Sequence, residues 1–134
     1  MPATRPNIVF VVPDEYRQQA MGCMNADPVL TPNLDQFAAE GVVFTHAISN
    51  RPVCSPYRAM LFSGKYPHAN GVLTNCNSGT AEDGIYLKET ERCLTDVLHD
   101  AGYSQGYIGK LHLDAPTEED ATYGEGPRGD GKVW

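Results

Sequence analysis

A short, continuously apolar run near the start of the chain most constrains its fold. Residues 7–12 read Asn-Ile-Val-Phe-Val-Val and are rich in β-branched side chains. A strand that is apolar at consecutive positions is typical of a parallel sheet covered on both faces. The run is followed by Asp14 and Glu15, and ligands of open α/β sheets gather where strands end at their carboxyl edge. The sequence therefore predicts a buried strand that delivers an acidic pair to a site.

Start and stop signals for a helix follow this run. Thr31 precedes Pro32, a favoured helix start with threonine at the N-cap and proline at the first helical position. Gly41 is the expected end of this helix. Residues 42–44 are apolar again and predict a second strand.

The second half of the chain repeats this alternation. A serine and a proline follow Cys54 and predict a helix that ends at Gly64, which places Cys54 immediately before a helix. Residues 89–101 carry apolar side chains at helical spacing, and residues 103–108 predict a further strand. Alternating strands and helices indicate an α/β fold with a largely parallel central sheet flanked by helices.

The composition disfavours several classes of protein. The formal net charge of −7 opposes binding to nucleic acid or to an anionic membrane, and no cluster of lysine and arginine offsets it. No apolar run approaches the roughly 20 residues that cross a bilayer. The N-terminal residues lack the apolar region of a signal peptide, so we expect a cytoplasmic protein, or one from which a leader has been removed. The cysteines lack Cys-x-x-Cys spacing and are expected to be mostly reduced, with Cys93 a small core residue.

The last stretch, residues 114–134, is rich in glycine, proline and acidic side chains and has no apolar periodicity. This composition predicts a loop. Because a compact domain seldom ends on about twenty structureless residues, the loop is expected to lead to a missing continuation.

Residues 54–58 read Cys-Ser-Pro-Tyr-Arg and have the properties of an anion site. A residue at a helix N-terminus meets unpaired N–H groups and the positive end of the helix dipole, which favour an anion and lower a thiol pKa. Arg58 lies one turn further along and can offer a fork of donors to a tetrahedral oxyanion. A tyrosine-phosphatase loop needs more than the three residues that separate cysteine from arginine here.

Cys-x-Pro-x-Arg is the signature in which sulfatases have their cysteine oxidised to formylglycine, and the segment that begins at Cys54 matches it. The chain resembles the N-terminal portion of a formylglycine-dependent, arylsulfatase-like sulfatase of the alkaline phosphatase superfamily. This resemblance implies an alkaline-phosphatase-like fold, truncated, with residues 1–134 as the N-terminal part of a catalytic domain. Further segments match the same family in the same order, at residues 5–8, 31–35, 63–68 and 109–113.

The resemblance implies a sulfuric ester hydrolase with one Ca²⁺ per site. Cys54, modified to formylglycine, would supply a hydrate with one hydroxyl that attacks sulfur and a second that expels sulfate. The implied metal ligands are Asp14, Glu15 and the modified Cys54, although Glu15 stands where many members carry aspartate. The implied partners are a small-molecule or glycan sulfate ester and a formylglycine-generating maturation enzyme.

Arg58, Lys110 and His112 complete the implied catalytic set with Cys54. Lys110 and His112 are two residues apart, so in an extended segment both side chains point to the same face. The resemblance implies that Lys110 contacts sulfate, that His112 hydrogen-bonds the hydrate and that Arg58 binds it and steadies the motif. We expect Asp14 to converge with these four residues on one pocket at the carboxyl edge of the sheet.

Two alternatives stay open. Phosphonate monoester and phosphodiester hydrolases of the same superfamily share the cysteine motif, so the motif does not exclude them. A non-catalytic sulfatase-like protein or an incomplete fragment is the other alternative, because full-length members are several times longer and draw further metal ligands from elsewhere. Lys110 and His112 favour a sulfatase because their Gly-Lys-x-His-Leu context is sulfatase-like.

Overall fold

The architecture comes from a computed structural model of the chain, which describes residues 5–114. The predicted loop over 114–134 therefore lies, after its first residue, outside the described residues. The chain divides into two compact units, Met1–Ala47 and Ile48–Trp134. None of the helices described in either unit is long and apolar enough to cross a membrane.

The first unit is built around helix α1, Pro32–Glu40, preceded by two 3₁₀ turns at Gln18–Ala20 and Gly22–Met24. The helix begins and ends where the sequence predicts, at proline and before Gly41. Asp35 in its first turn accepts the amide of Cys23 at 2.7 Å and fastens the second 3₁₀ turn to the helix. A Cβ on Gly22 would lie 2.6 Å from Asp35 Oδ2, so any other residue there would displace the Asp35 carboxylate from this position.

The second unit contains four helices within its described part. Its core is formed by side chains that come from helix, turn and irregular segments alike. Burial of Cys93, which is 1% exposed, confirms its prediction as a core residue, and all four cysteines of the chain are thiols outside any disulfide. The helices are α2 (Cys54–Ser63), α3 (Pro67–Asn70), α4 (Ser78–Ala81) and α5 (Leu94–Asp100). The buried core residues are Ala59, Val72, Cys76, Leu87, Cys93 and Leu113.

Helix α5 is shorter than predicted. It begins at Leu94 rather than near Glu89, because the Cys93 amide donates to Asp96 Oδ2 at 2.7 Å and starts the helix there. The residues before Cys93 form turns instead. After the helix, Tyr103, Gln105 and Tyr107 are partly buried while the intervening residues are exposed, which is the two-residue alternation of an extended chain.

The predicted strands are not present as strands in residues 5–114. The segment 7–12 is not buried on both faces, because residues 7–11 are exposed, with Val9 at 86% and Val11 at 78%, and Val12 is only partly buried. Residues 42–44 and 103–108 likewise have no strand assignment. A strand exists only where a second backbone segment pairs with it, and apolarity alone does not supply that segment. The parallel sheet is therefore not confirmed by the described residues.

Gly64 ends α2 in a left-handed conformation, with φ of 66° and its amide bonded to Met60 O. No heavy atom would meet an added Cβ within 4 Å, so replacement by alanine tests backbone conformation alone. We expect Gly64→Ala to lower the free energy of unfolding of the full-length protein by about 1 kcal/mol. Urea unfolding measures this, and Gly106→Ala is the matched control because its φ lies outside the left-handed region and its site is also open.

Candidate active site

Cys54 is the first residue of α2 and is partly buried, one position inside the helix rather than immediately before it as predicted. The preceding N-cap residue, Val53, has no side-chain oxygen and makes no capping hydrogen bond. The amides of a first helical turn have no acceptors within the helix. The acceptor for the Ser55 amide comes instead from Asn75 Oδ1, at 3.0 Å and twenty residues away.

Arg58 is buried, with 5% of its surface exposed. Its Nη1 donates to the backbone carbonyl of Lys110 at 2.6 Å and to the hydroxyl of Tyr107 at 3.3 Å. The Tyr107 hydroxyl also donates to the Lys110 carbonyl, and its ring packs against Phe62 of α2 with centroids 5.9 Å apart. Arg58 therefore joins the cysteine-bearing helix to the segment that carries Lys110.

Lys110 is exposed and His112 is partly buried. The backbone around them is not a regular extended strand, because Gly109 has φ of 117° and His112 has φ of 56°. A left-handed conformation costs a non-glycine residue about 1–2 kcal/mol and persists only where its surroundings hold it. The next residue, Leu113, is 2% exposed and lies in the core, and its carbonyl accepts the Leu87 amide at 2.9 Å.

One of the two ring nitrogens of His112 makes a hydrogen bond. Its Nε2 lies 2.9 Å from the backbone carbonyl of Cys76. A carbonyl oxygen only accepts hydrogen bonds, so Nε2 carries a proton. The other nitrogen, Nδ1, is buried and has no hydrogen-bond partner within the part of the chain described here. Buried polar atoms are usually paired, so this atom is a candidate contact for a ligand or for a group beyond the described residues.

The thiol of Cys76 is not a second candidate nucleophile. Burial raises the pKa of the Cys76 thiol, and the nearby negative charge of Asp114 adds to this, against a hydrogen bond with Ser55 that lowers it. A thiol with a raised pKa is protonated at neutral pH, and the thiolate is the reactive form. Cys76 acts in this region through its backbone and its packing.

Asp14 and Glu15 belong to the first unit, and both are exposed. Glu15 adopts φ of 52°. Carboxylates are suitable oxygen ligands for Ca²⁺, but that ion takes about six to eight oxygens, more than two side chains supply. The described residues include no group of three or more histidine, cysteine or acidic side chains placed to hold a metal. The pair therefore fits part of a calcium ligand set, and its convergence with Cys54 stays a prediction.

Three contributors to the site have no signal in the local sequence. Asn75, Cys76 and Tyr107 lie outside every motif, yet they contact the segments that carry Cys54, Arg58 and His112. Their roles depend on contacts between residues that are distant in sequence, and local sequence patterns contain no record of such contacts. The predicted residues Arg58 and Lys110 are brought together by the structure, through the backbone of Lys110.

Comparison with known proteins decides the family. The family model described as Sulfatase matches residues 6–128, which is most of the chain. This chain belongs to the sulfatase family. The sulfatase segment is 46% identical over 129 residues to an endo-4-O-sulfatase of Bacteroides thetaiotaomicron, covering 88% of the chain and 25% of that protein. It is 36% identical over 115 residues to human steryl-sulfatase, covering 83% of the chain and 20% of that protein.

This chain superimposes on a solved sulfatase structure from Bacteroides thetaiotaomicron with a TM-score of 0.82 and 46% sequence identity. That structure is described in connection with the metabolism of multiple glycosaminoglycans by this organism. It covers 89% of this chain, which in turn covers 26% of that structure. The sulfatase segment thus spans about a quarter of the length of these relatives. The family resemblance drawn from the motifs is confirmed.

Proposed function

We propose that the protein is a sulfuric ester hydrolase and that this segment supplies its nucleophile. The observation that carries the proposal is the family's cysteine motif at the start of α2, with Arg58 buried and bonded to the backbone of Lys110. The substrate class is a small-molecule or glycan sulfate ester. The relatives named endo-4-O-sulfatase and steryl-sulfatase support a sulfate ester as the substrate, but their names differ in the alcohol that carries the sulfate and so do not select one.

Each candidate residue has a role that its surroundings support. Cys54 is the residue that a maturation enzyme would convert to formylglycine, which supplies a hydrated aldehyde as nucleophile. Lys110 is exposed and offers a cation to the sulfate oxygens. His112 offers its buried Nδ1, because Nε2 is held by the Cys76 carbonyl. Arg58 steadies the segment that carries Lys110 and keeps a buried positive charge at the cysteine-bearing helix.

Asp14 and Glu15 are proposed as part of the ligand set of a Ca²⁺ ion. A hard divalent cation neutralises sulfate oxygens and lowers the pKa of a bound hydroxyl. The chain's own contribution is a pair of adjacent carboxylates after residues 7–12. Glu15 carries one more methylene than the aspartate of many members, so Asp14 is the stronger candidate ligand.

The sheet is also a proposal for the whole protein. We propose that residues 7–12, 42–44 and 103–108 become strands where further backbone segments pair with them. This proposal is supported by the large apolar side chains that these segments expose. Phe10 is 64% exposed and Phe44 is 77% exposed. Large apolar side chains of a folded chain are usually covered, and strand pairing together with helix packing would cover these.

The mass of the tryptic peptide that contains Cys54 tests the nucleophile directly. Trypsin should release Gln18–Arg58 intact, since Arg51 is followed by proline. We expect this peptide from the active full-length protein to be lighter than the thiol form, by the exchange of H₂S for one oxygen atom. Fragment ions should place the change at Cys54 and leave Cys23, in the same peptide, as an unmodified thiol. A peptide that carries two thiols in a fully active preparation would contradict the proposal.

A parallel assay separates the proposed activity from its nearest alternative. The full-length protein is given an aryl sulfate, an aryl phosphonate monoester and an aryl phosphodiester with the same leaving group. We expect the highest kcat/KM on the sulfate. A preference for either phosphorus ester would assign the protein to the other hydrolases that share the motif, and hydrolysis of none of them would favour a non-catalytic protein.

A further inference from the structure

Two consecutive residues outside the family motifs connect helix α2, which begins at Cys54, to His112. They are Asn75 and Cys76. Asn75 Oδ1 accepts the Ser55 amide at 3.0 Å, and the Cys76 amide donates to Ser55 Oγ at 3.1 Å. The Cys76 carbonyl then accepts from His112 Nε2 at 2.9 Å. Three hydrogen bonds thus run from the residue next to Cys54 to His112.

Burial raises the free-energy cost of losing one of these hydrogen bonds. Ser55 is 0% and Cys76 3% exposed, so water cannot readily reach the groups that these two residues contribute to the bonds. Hydrogen bonds in such surroundings are stronger than in water, and a donor left without an acceptor is correspondingly costly. Loss of one of these bonds would therefore leave the group at its other end without a partner.

Asn75 is suited to its position at one end of this connection. Val53 cannot cap α2, and the Asn75 side chain acts as the acceptor that a capping residue would normally supply. The backbone of Asn75 is itself held, because its carbonyl accepts from the Thr80 hydroxyl at 3.0 Å. Its amide oxygen is therefore presented to α2 from a fixed backbone.

We propose that Asn75 and Cys76 form a positioning bridge, which fixes the orientation of Cys54 relative to His112. This inference rests on the function proposed above. Asn75 is a positioning residue, since it acts through Ser55. The Cys76 carbonyl positions His112 by holding the Nε2 proton, which leaves Nδ1 as the ring nitrogen that can contact a ligand.

Replacement of Asn75 by leucine in the full-length enzyme tests the bridge. Leucine has a similar size but no acceptor for the Ser55 amide. We expect kcat on an aryl sulfate to fall at least about tenfold with little change in KM, because small displacements of reacting groups slow chemistry more than binding. Asn75→Asp should restore most of kcat, since a carboxylate accepts the same hydrogen bond and is favoured at a helix N-terminus. Rates are divided by the converted fraction of Cys54, measured from its peptide mass.

Asn70→Leu is the matched control. Asn70 Oδ1 accepts the Val72 amide at 2.9 Å and Asn70 Nδ2 donates to the Lys65 carbonyl at 3.1 Å. Its side-chain oxygen thus also accepts a backbone amide, but these bonds are made to residues other than Ser55, Asn75 and His112. We expect this variant to lose stability and keep kcat. An equal loss of kcat in both leucine variants, or failure of Asn75→Asp to restore activity, would overturn the bridge.

Amide exchange separates the bridge from the proposed function. A wild-type protein that hydrolyses no sulfate ester would reject the function alone, and exchange then decides the bridge. Faster exchange of the Ser55 amide in Asn75→Leu, together with shifted ¹⁵N resonances of the His112 ring, supports the bridge. Unchanged exchange and unchanged ring resonances contradict it.

Discussion

Replacing Cys54 with serine in the full-length protein should abolish turnover of an aryl sulfate, with kcat at least about a thousandfold below the wild type. Serine carries one oxygen on its β-carbon, whereas a formylglycine hydrate carries two. A single hydroxyl that became sulfated has no second oxygen with which to expel the sulfate, so the protein would stall after at most one event. Release of the aryl alcohol under a large excess of substrate measures this.

Cys23→Ser is the matched control for this prediction. Cys23 is an exposed thiol in the first unit and lies in the same tryptic peptide as Cys54. We expect the control to retain the wild-type rate, and both variants to keep the wild-type far-UV circular dichroism. If Cys54→Ser turned over many equivalents at the wild-type rate, the formylglycine mechanism would be wrong for this protein. Cys54 would then be a small residue packed at a helix start.

Helices with local signals were predictable from the sequence. Helix α1 begins at Pro32 and ends before Gly41 as expected, because proline and glycine act on the backbone of their own position. The predicted start of α5, near Glu89, was wrong by several residues, because the helix begins at Leu94. The decisive contact there joins the Cys93 amide to Asp96, and a cysteine at an N-cap is a weak signal in a sequence.

The strands show where local pattern stops being sufficient. Residues 7–12 have the apolar composition of a buried strand, yet in the described structure they have no strand assignment and residues 7–11 are exposed. Burial and pairing are properties of two segments, and a sequence pattern reports on one. The same limit applies to residues 103–108, where the alternating exposure of an extended chain is present and a paired neighbour is not assigned.

The site was partly predictable for a related reason. The motif identifies Cys54 and Arg58 because its residues are close in sequence and share one helix. It does not identify the acceptor of Arg58, which is the backbone of a residue 52 positions later. Nor does it identify Asn75. Many side chains in the sequence could accept a hydrogen bond from the Ser55 amide, and only the fold shows which one does. Motifs name the reactive groups, whereas the fold supplies the groups that orient them.

Replacing Arg58 with lysine should lower kcat on an aryl sulfate at least about a hundredfold and the free energy of unfolding by about 1–3 kcal/mol. Arg58 is buried and its Nη1 bonds the Lys110 carbonyl and the Tyr107 hydroxyl. Lysine is shorter, so its ammonium does not reach the position of Nη1, from which both contacts are made. The segment that carries Lys110 would then shift relative to the cysteine-bearing helix. Steady-state kinetics and urea unfolding of the full-length protein measure the two effects.

Arg92→Lys makes the same chemical change at an exposed site. Arg92 pairs with Asp100 at 2.7 Å, with 69% and 62% of the two side chains exposed. A surface ion pair contributes about 0–1 kcal/mol, so we expect neither kcat nor stability to change measurably. Because charge is conserved in both variants, a difference between them isolates the buried hydrogen bonds of Arg58. Equal, small effects at both positions would show that Nη1 of Arg58 does not hold the segment that carries Lys110.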